Sequence, residues 1–356
     1  MEDLPESKGG GNGIGGFFAV DARSWGVACG LGVNAAVAYL VLARGTGPDQ
    51  ATTRWSVAAI ERYTGIPRLR AATAIKALED YPLIAVEERG KRPKYRLLPA
   101  HKVLGTRAKK GADPDWIWLP NELVTGAASE IPPVELVRQG QDVMVLRLLV
   151  DLYHDHNLAE HGGVSPFVVR KQFKRSRIGQ RGQYVAWGFR DDGLSAWRDG
   201  AVVPHAIPAE NSHREEWSAD ALWPRLNALE DLGLVEFVPF LFESDSKDAA
   251  PIHPLNMRAP EGSLEGQLAR AAEDAGMVVA TEGQLDIAVR DGFDVIVPVP
   301  RHVANVALIG ILRLLYRPRT RMTSAWQADL QEKTPGYLAK YREICETAAP
   351  TLLAAR

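Results

Sequence analysis

Nine lysines and arginines crowd the stretch from Arg89 to Lys110 (Arg89, Lys91, Arg92, Lys94, Arg96, Lys102, Arg107, Lys109 and Lys110), with no acid among them. Such a run suits a polyanion. Cationic side chains displace the counterions condensed on nucleic-acid phosphates, and that release supplies most of the affinity. A smaller set stands upstream, where Arg68, Arg70, Thr73 and Lys76 fall on one side of a helix if the segment is helical. Arginine bonds bidentately to guanine in the major groove, and threonine can meet a thymine methyl. A third set, Arg170, Lys171, Lys174, Arg175, Arg177 and Arg181, again lacks an intervening acid.

Other chemistry finds little support. His154-Asp155-His156 puts two histidines at i, i+2, which point to different faces of a helix, and no third ligand has suitable spacing. Gly11-Asn12-Gly13-Ile14-Gly15-Gly16 matches a dinucleotide fingerprint in letters but has no strand before it, so it reads as a flexible tail. No nucleophile elbow, Walker loop or nuclease-type carboxylate cluster occurs. Trp116, Trp118, Trp187 and Trp197 read as core fillers rather than base-stacking platforms. The expectation is a protein that is not an enzyme and needs no cofactor or metal.

The elements that position these residues come next. The 356 residues are 46% hydrophobic and 24% charged, enough for two or three domains. A net charge of −2 argues against a protein that coats DNA unselectively, though not against a local basic patch. No apolar run is long enough to span a membrane, and the N-terminus lacks signal-peptide character. Cys29 and Cys345 read as free thiols in a reducing compartment. The expected location is the cytoplasm, in association with the nucleoid.

Phe17–Trp25 reads as a short strand, and Val33–Arg44 as a helix apolar all round and therefore buried. Ser56–Tyr63 is a second helix with Ser56 at its N-cap. Thr64-Gly65-Ile66 is a turn, and Pro67 suits the first position of a third helix, Arg68–Asp80. Ala71, Ala74, Ile75 and Leu78 share one face of that helix. Two short strands follow, Leu83–Glu88 and Lys94–Leu98. Ser56-Val57-Ala58-Ala59-Ile60, Thr64-Gly65-Ile66, Ala74-Ile75-Lys76-Ala77-Leu78-Glu79 and Leu83-Ile84 together resemble the winged helix-turn-helix superfamily, and within it bacterial regulators and plasmid or phage replication initiators. Glu61 departs from the pattern, standing where the family usually has a small residue between helices two and three. The resemblance implies that helix 68–80 enters the major groove while the hairpin around residues 89–96 lies on the backbone.

Internal echoes extend the expectation. Ala228–Val235 repeats the pattern of Ala77–Ile84, Val143–His154 is an apolar helix like Val33–Arg44, and Trp116–Pro120 is a lead-in strand like Phe17–Trp25. Fainter echoes are Val295–Pro300 as a strand, Val303–Tyr316 as a helix, and Thr323–Trp326 matched to Thr52–Trp55. The expected fold is mainly α with short β-hairpins (α+β), in tandem winged-helix domains. The domains are a disordered leader 1–16, a first unit 17–104, a basic linker 105–113, a second unit 114–250 with an insertion near 178–216, and a degenerate third unit 251–356. On this scheme Arg170–Arg181 lies on the second unit's helix two and the start of the insertion, and helix Ser218–Asp231 is its recognition helix.

The expected function is sequence-specific binding of double-stranded DNA in transcriptional control. The contact residues would be Arg68, Arg70, Thr73, Lys76, Arg89, Lys91, Arg92 and Lys94, with Arg170, Lys171, Lys174, Arg175 and Arg177 lengthening the footprint. A homodimer on a repeated site is expected. The alternatives are a replication initiator, and a protein-docking module of a chromosome-organising complex whose partner meets the acidic stretches Glu210–Asp220 and Glu243–Asp248.

Overall fold

The computed structural model describes residues 16–98, 114–127, 130–196, 200–205, 221–246, 248–317 and 321–348. They form two compact units. The first takes the described residues within Met1–Asp155, Gly200–Val235 and Leu314–Thr320, the second those within His156–Asp199, Glu236–Arg313 and Arg321–Arg356.

The first unit opens with β1 (Phe17–Asp21), α1 (Ala22–Gly30) and α2 (Val33–Arg44). The expected strand 17–25 stops early because Asp21 caps a helix, its carboxylate accepting from the amides of Arg23 and Ser24 at 3.0 and 3.1 Å. In α2 every residue from Ala35 to Ala43 is buried, as an all-round apolar helix requires. β2 (Thr52–Thr53), α3 (Val57–Thr64), α4 (Arg68–Asp80), β3 (Ile84–Glu88) and β4 (Lys94–Leu97) follow, and the three strands form a sheet of order β2-β4-β3. β5 (Trp116–Pro120) pairs antiparallel with β1, in register from Phe17 opposite Pro120 to Asp21 opposite Trp116. Ile117 and Leu119 turn inward, whereas Trp116 and Trp118 are exposed, contrary to the expected core role. α5 (Glu122–Thr125), α6 (Pro133–Gln139) and α7 (Val143–Leu152) come next. A 3-10 turn at Gly200–His205 and α8 (Leu222–Asp231) complete the helices of this unit.

The second unit is built differently. β6 (His156–Asn157) and β7 (Gly163–Val164) form a small pair. β8 (Val169–Arg181), β9 (Tyr184–Ala196), β10 (Val235–Phe242), β11 (Pro251–Pro254), β12 (Val295–Pro300) and β13 (Ala307–Leu314) make one six-stranded sheet of order β11-β10-β13-β8-β9-β12. α9 (Leu264–Val279), α10 (Glu282–Arg290) and α11 (Arg321–Ala348) complete it. α9 lies so close to β12 that a Cβ on Gly276 would stand 2.4 Å from the Ile296 carbonyl oxygen. Phe189, Leu268, Ala272, Val297, Tyr341 and Ile344 belong to the core between helices and sheet. Arg313 on β13 is only 2% exposed. Its guanidinium meets the Glu265 carboxylate at 2.8 Å and lies over the rings of Phe240 and Trp326.

This sheet overturns the expected mainly α fold of tandem winged-helix domains. Arg170–Arg181 is a strand, not a helix, folded against β9 through the two-residue turn Gly182-Gln183, with Gly182 at φ +56°. Residues 303–316, expected as a helix, contain β13, whose continuous apolar run serves a fully buried strand equally well. Thr323–Trp326 lies inside α11, so its likeness to Thr52–Trp55 is one of letters only. The echo between Ala77–Ile84 and Ala228–Val235 has a local basis. Leu83 N donates to Leu78 O and Leu234 N to Leu229 O, both at 2.9 Å, before a strand begins. The likeness ends there, because β10 runs on into the six-stranded sheet.

Candidate nucleic-acid interface

In the first unit α3 and α4 are joined by a tight turn. Gly65 caps α3 at φ +63°, the left-handed region that glycine enters without strain, and its amide donates to Glu61 O at 3.0 Å. The Thr64 hydroxyl donates to Ile60 O and accepts from the Ile66 amide. Ser56 occupies the N-cap of α3 as expected, but its hydroxyl makes no cap bond, and Pro67 serves as the N-cap of α4 rather than its first residue. Ala71, Ala74, Ile75 and Leu78 bury one face of α4, and Arg68, Arg70, Thr73 and Lys76 stay exposed on the other. A cleft of about 430 Å³ separates α4 from the β3–β4 hairpin, lined among others by Arg68, Glu79, Arg89, Lys91 and Tyr95.

Acids divide the cations around this cleft into two groups. Arg89 pairs with Glu79 at 2.8 Å, Lys94 with Glu87 at 2.8 Å, Arg96 also with Glu87, and Arg54 with Glu88 at 3.0 Å. On the helix, Arg68 meets Glu61 at 3.3 Å and Lys76 meets Asp80 at 2.9 Å. Glu61 therefore stands on the surface and does not intrude between helices two and three. The hydrogen bonds from Lys94 and Arg96 hold the Glu87 carboxyl below its usual range, and the Asp80 partner raises Lys76 above its own. Arg70, Lys91 and Arg92 are exposed and, among the described residues, pair with no acid.

No family model, curated protein or solved structure matches this chain. The geometry stands alone. In the second unit the expected cations of β8 face their own hairpin partner. Lys171 pairs with Asp191 at 2.6 Å and Lys174 with Asp192 at 2.8 Å. Arg175 donates to Val306 O at 2.6 Å and lies over Trp187, while Arg177 is exposed. Burial lowers the pKa of Arg170. Asp191 and Asp192 escape a reading of the local run because only the hairpin carries them opposite it.

Lys102, Arg107, Lys109 and Lys110, with the linker 105–113, lie outside the described residues. So do Trp197, the acidic stretch 210–220 and the leader up to residue 15. Among the described residues no group of three or more His, Cys, Asp or Glu is placed to hold a metal ion, and no helix is long and apolar enough to cross a membrane. His154 meets Asp115 at 2.8 Å and Asp155 at 3.6 Å. His205 is fully buried against Asp151, Nε2 to Oδ2 2.9 Å. Cys29 and Cys345 are free thiols, and burial pushes both away from thiolate formation.

Proposed function

We propose that residues 33–98 form a winged helix that binds double-stranded DNA by sequence, acting without chemistry on it in the manner of a transcriptional regulator at the nucleoid. α4 enters the major groove and the β3–β4 hairpin follows the adjacent backbone. One observation carries this reading: Arg70 on α4 and Lys91 and Arg92 on the hairpin stand exposed with no acid partner among the described residues, on the two elements that flank one cleft, which Lys91 itself lines. Helix, strand, helix, helix and hairpin, with sheet order β2-β4-β3, support the same reading. The first turn of α4 also contains no acid, so its free amides and positive dipole end favour a phosphate. In β8 the acids of β9 already neutralise Lys171 and Lys174, so the principal contact falls to the first unit.

The test is duplex affinity against salt for the full chain and for Lys91→Ala/Arg92→Ala. Removing two phosphate contacts flattens the slope of log affinity on log salt by about 0.9 for each. Arg70→Ala weakens the preferred site by about 1–3 kcal/mol and random duplex less. An unchanged slope, or equal loss on both duplexes, overturns the respective assignment. Sedimentation of the same complexes reports whether one or two chains occupy each duplex.

A further inference from the structure

Leu69 is 81% exposed, more than any other large apolar side chain among the described residues. It occupies the first turn of α4, between Arg68 and Arg70, on the face turned away from the unit's core. Ala72 and Thr73 follow it at i+3 and i+4, both exposed, so the three share one stripe of the helix surface. The Thr73 hydroxyl donates to Leu69 O at 3.0 Å. With that proton engaged, Thr73 has its methyl and an accepting oxygen, but no donor, left for a ligand. The outward face of α4 thus begins with leucine, alanine and a threonine methyl, bordered by Arg68, Arg70 and Lys76.

We infer that this stripe reads thymine 5-methyl groups, so that the bound sequence carries A·T pairs opposite Leu69 and Ala72. The inference rests on the proposed DNA-binding role of α4. In the major groove the thymine methyl is the apolar feature each A·T pair presents, and apolar side chains recognise it by contact. Of the bordering cations Arg68 and Lys76 are paired with Glu61 and Asp80, and the remaining Arg70 charge suits the negative groove, which an apolar protein partner would lack. Arg70 then reads a guanine beside the A·T tract, while Leu69 and Ala72 reject a cytosine or guanine edge that would bury polar groups against them.

The probe is the duplex that the full chain selects from a random pool, with each thymine replaced singly by deoxyuridine, which lacks only the methyl. Burying one methyl is worth about 0.8 kcal/mol, so at least one replacement weakens wild-type binding about fourfold. Leu69→Ala weakens the thymine duplex by a similar factor and binds thymine and uracil duplexes alike. An unchanged melting temperature shows that this exposed position leaves the fold intact. A selected site without thymine at the α4 contact overturns the inference, as does indifference to uracil in the wild type. So does an altered sedimentation of the free protein by Leu69→Ala, which would make Leu69 a protein contact. If the chain binds no duplex in a salt-dependent way, the proposed function itself falls. If it binds with the expected slope yet ignores the methyl, only the present inference does.

Discussion

Along the β3–β4 hairpin each cation's availability is decided by its nearest carboxylate. Glu79 holds Arg89, and Glu87 holds Lys94 and Arg96 together, while Lys91 and Arg92 at the tip have no such neighbour among the described residues. The Arg89–Glu79 pair is well exposed and adds little to stability, since solvent screens it. In the proposed DNA complex the same carboxylate would repel phosphate and compete for Arg89. Glu79→Gln therefore raises duplex affinity severalfold at low salt and leaves the melting temperature within about a degree or two; weaker binding would remove Arg89 from the interface. At this scale the sequence displays every cation but not its ownership. Glu79, Glu87 and Glu88 lie just before the basic run, and only the turn of the hairpin brings them alongside it. Leu69 is equally inconspicuous in the sequence, because a leucine in a helix suits the core, and its exposure depends on which face the rest of the unit covers.

The legible elements are those whose residues carry one period and one partner. α2 announces its burial by being apolar all round, and α4 by Ala71, Ala74, Ile75 and Leu78 at helical spacing. The sheet strands carry no such mark. β13 is apolar from Ala307 to Leu312 and buried on both faces, and a run of that kind has no period to distinguish strand from helix. β8 hides its alternation under long cationic side chains and two register shifts. One contact between elements has a pH consequence. His253 on β11 donates from Nδ1 to Pro254 O at 3.0 Å and accepts at Nε2 from the Tyr341 hydroxyl of α11 at 2.7 Å, a complete set for the neutral ring. Burial lowers its pKa to about 4, and that of His161, under the same influence and beside Arg313, to about 3. Both folded values lie below the unfolded value of about 6.5, so their stabilisation is complete above pH 6.5 and is lost as pH falls through that value toward 4. The second unit should lose about 1.4 kcal/mol per pH unit for each histidine over this window, measured by urea unfolding between pH 7.5 and 5. His253→Gln should shallow that dependence by one proton's worth. An unaltered dependence would mean that the ring titrates normally.

Taken whole, the chain crosses between its two units five times, at 155, 199, 235, 313 and 320. The sequence points to contiguous tandem units instead, since nothing local marks a crossing. Residues 16–155 hold most of the first unit but lack α8, whose Leu222, Leu226 and Leu229 are buried. Expressed alone, that fragment should be less stable than the first unit in the full chain by on the order of 5 kcal/mol, at about 1.5–3 kcal/mol for each large apolar contact removed. A protease-resistant fragment 16–155 that melts cooperatively would refute this. The last stitch comes late. Leu315 N donates to Leu234 O at 3.0 Å, and the Tyr316 hydroxyl donates to Glu130 at 2.8 Å, so the first unit waits for residues some 80 to 185 positions downstream of those they join. On a ribosome working from the N-terminus, α4 is made early, yet the unit carrying it closes only after residues 315 and 316 have emerged. An interrupted translation product would then carry α4 in an unfinished scaffold, open to proteases.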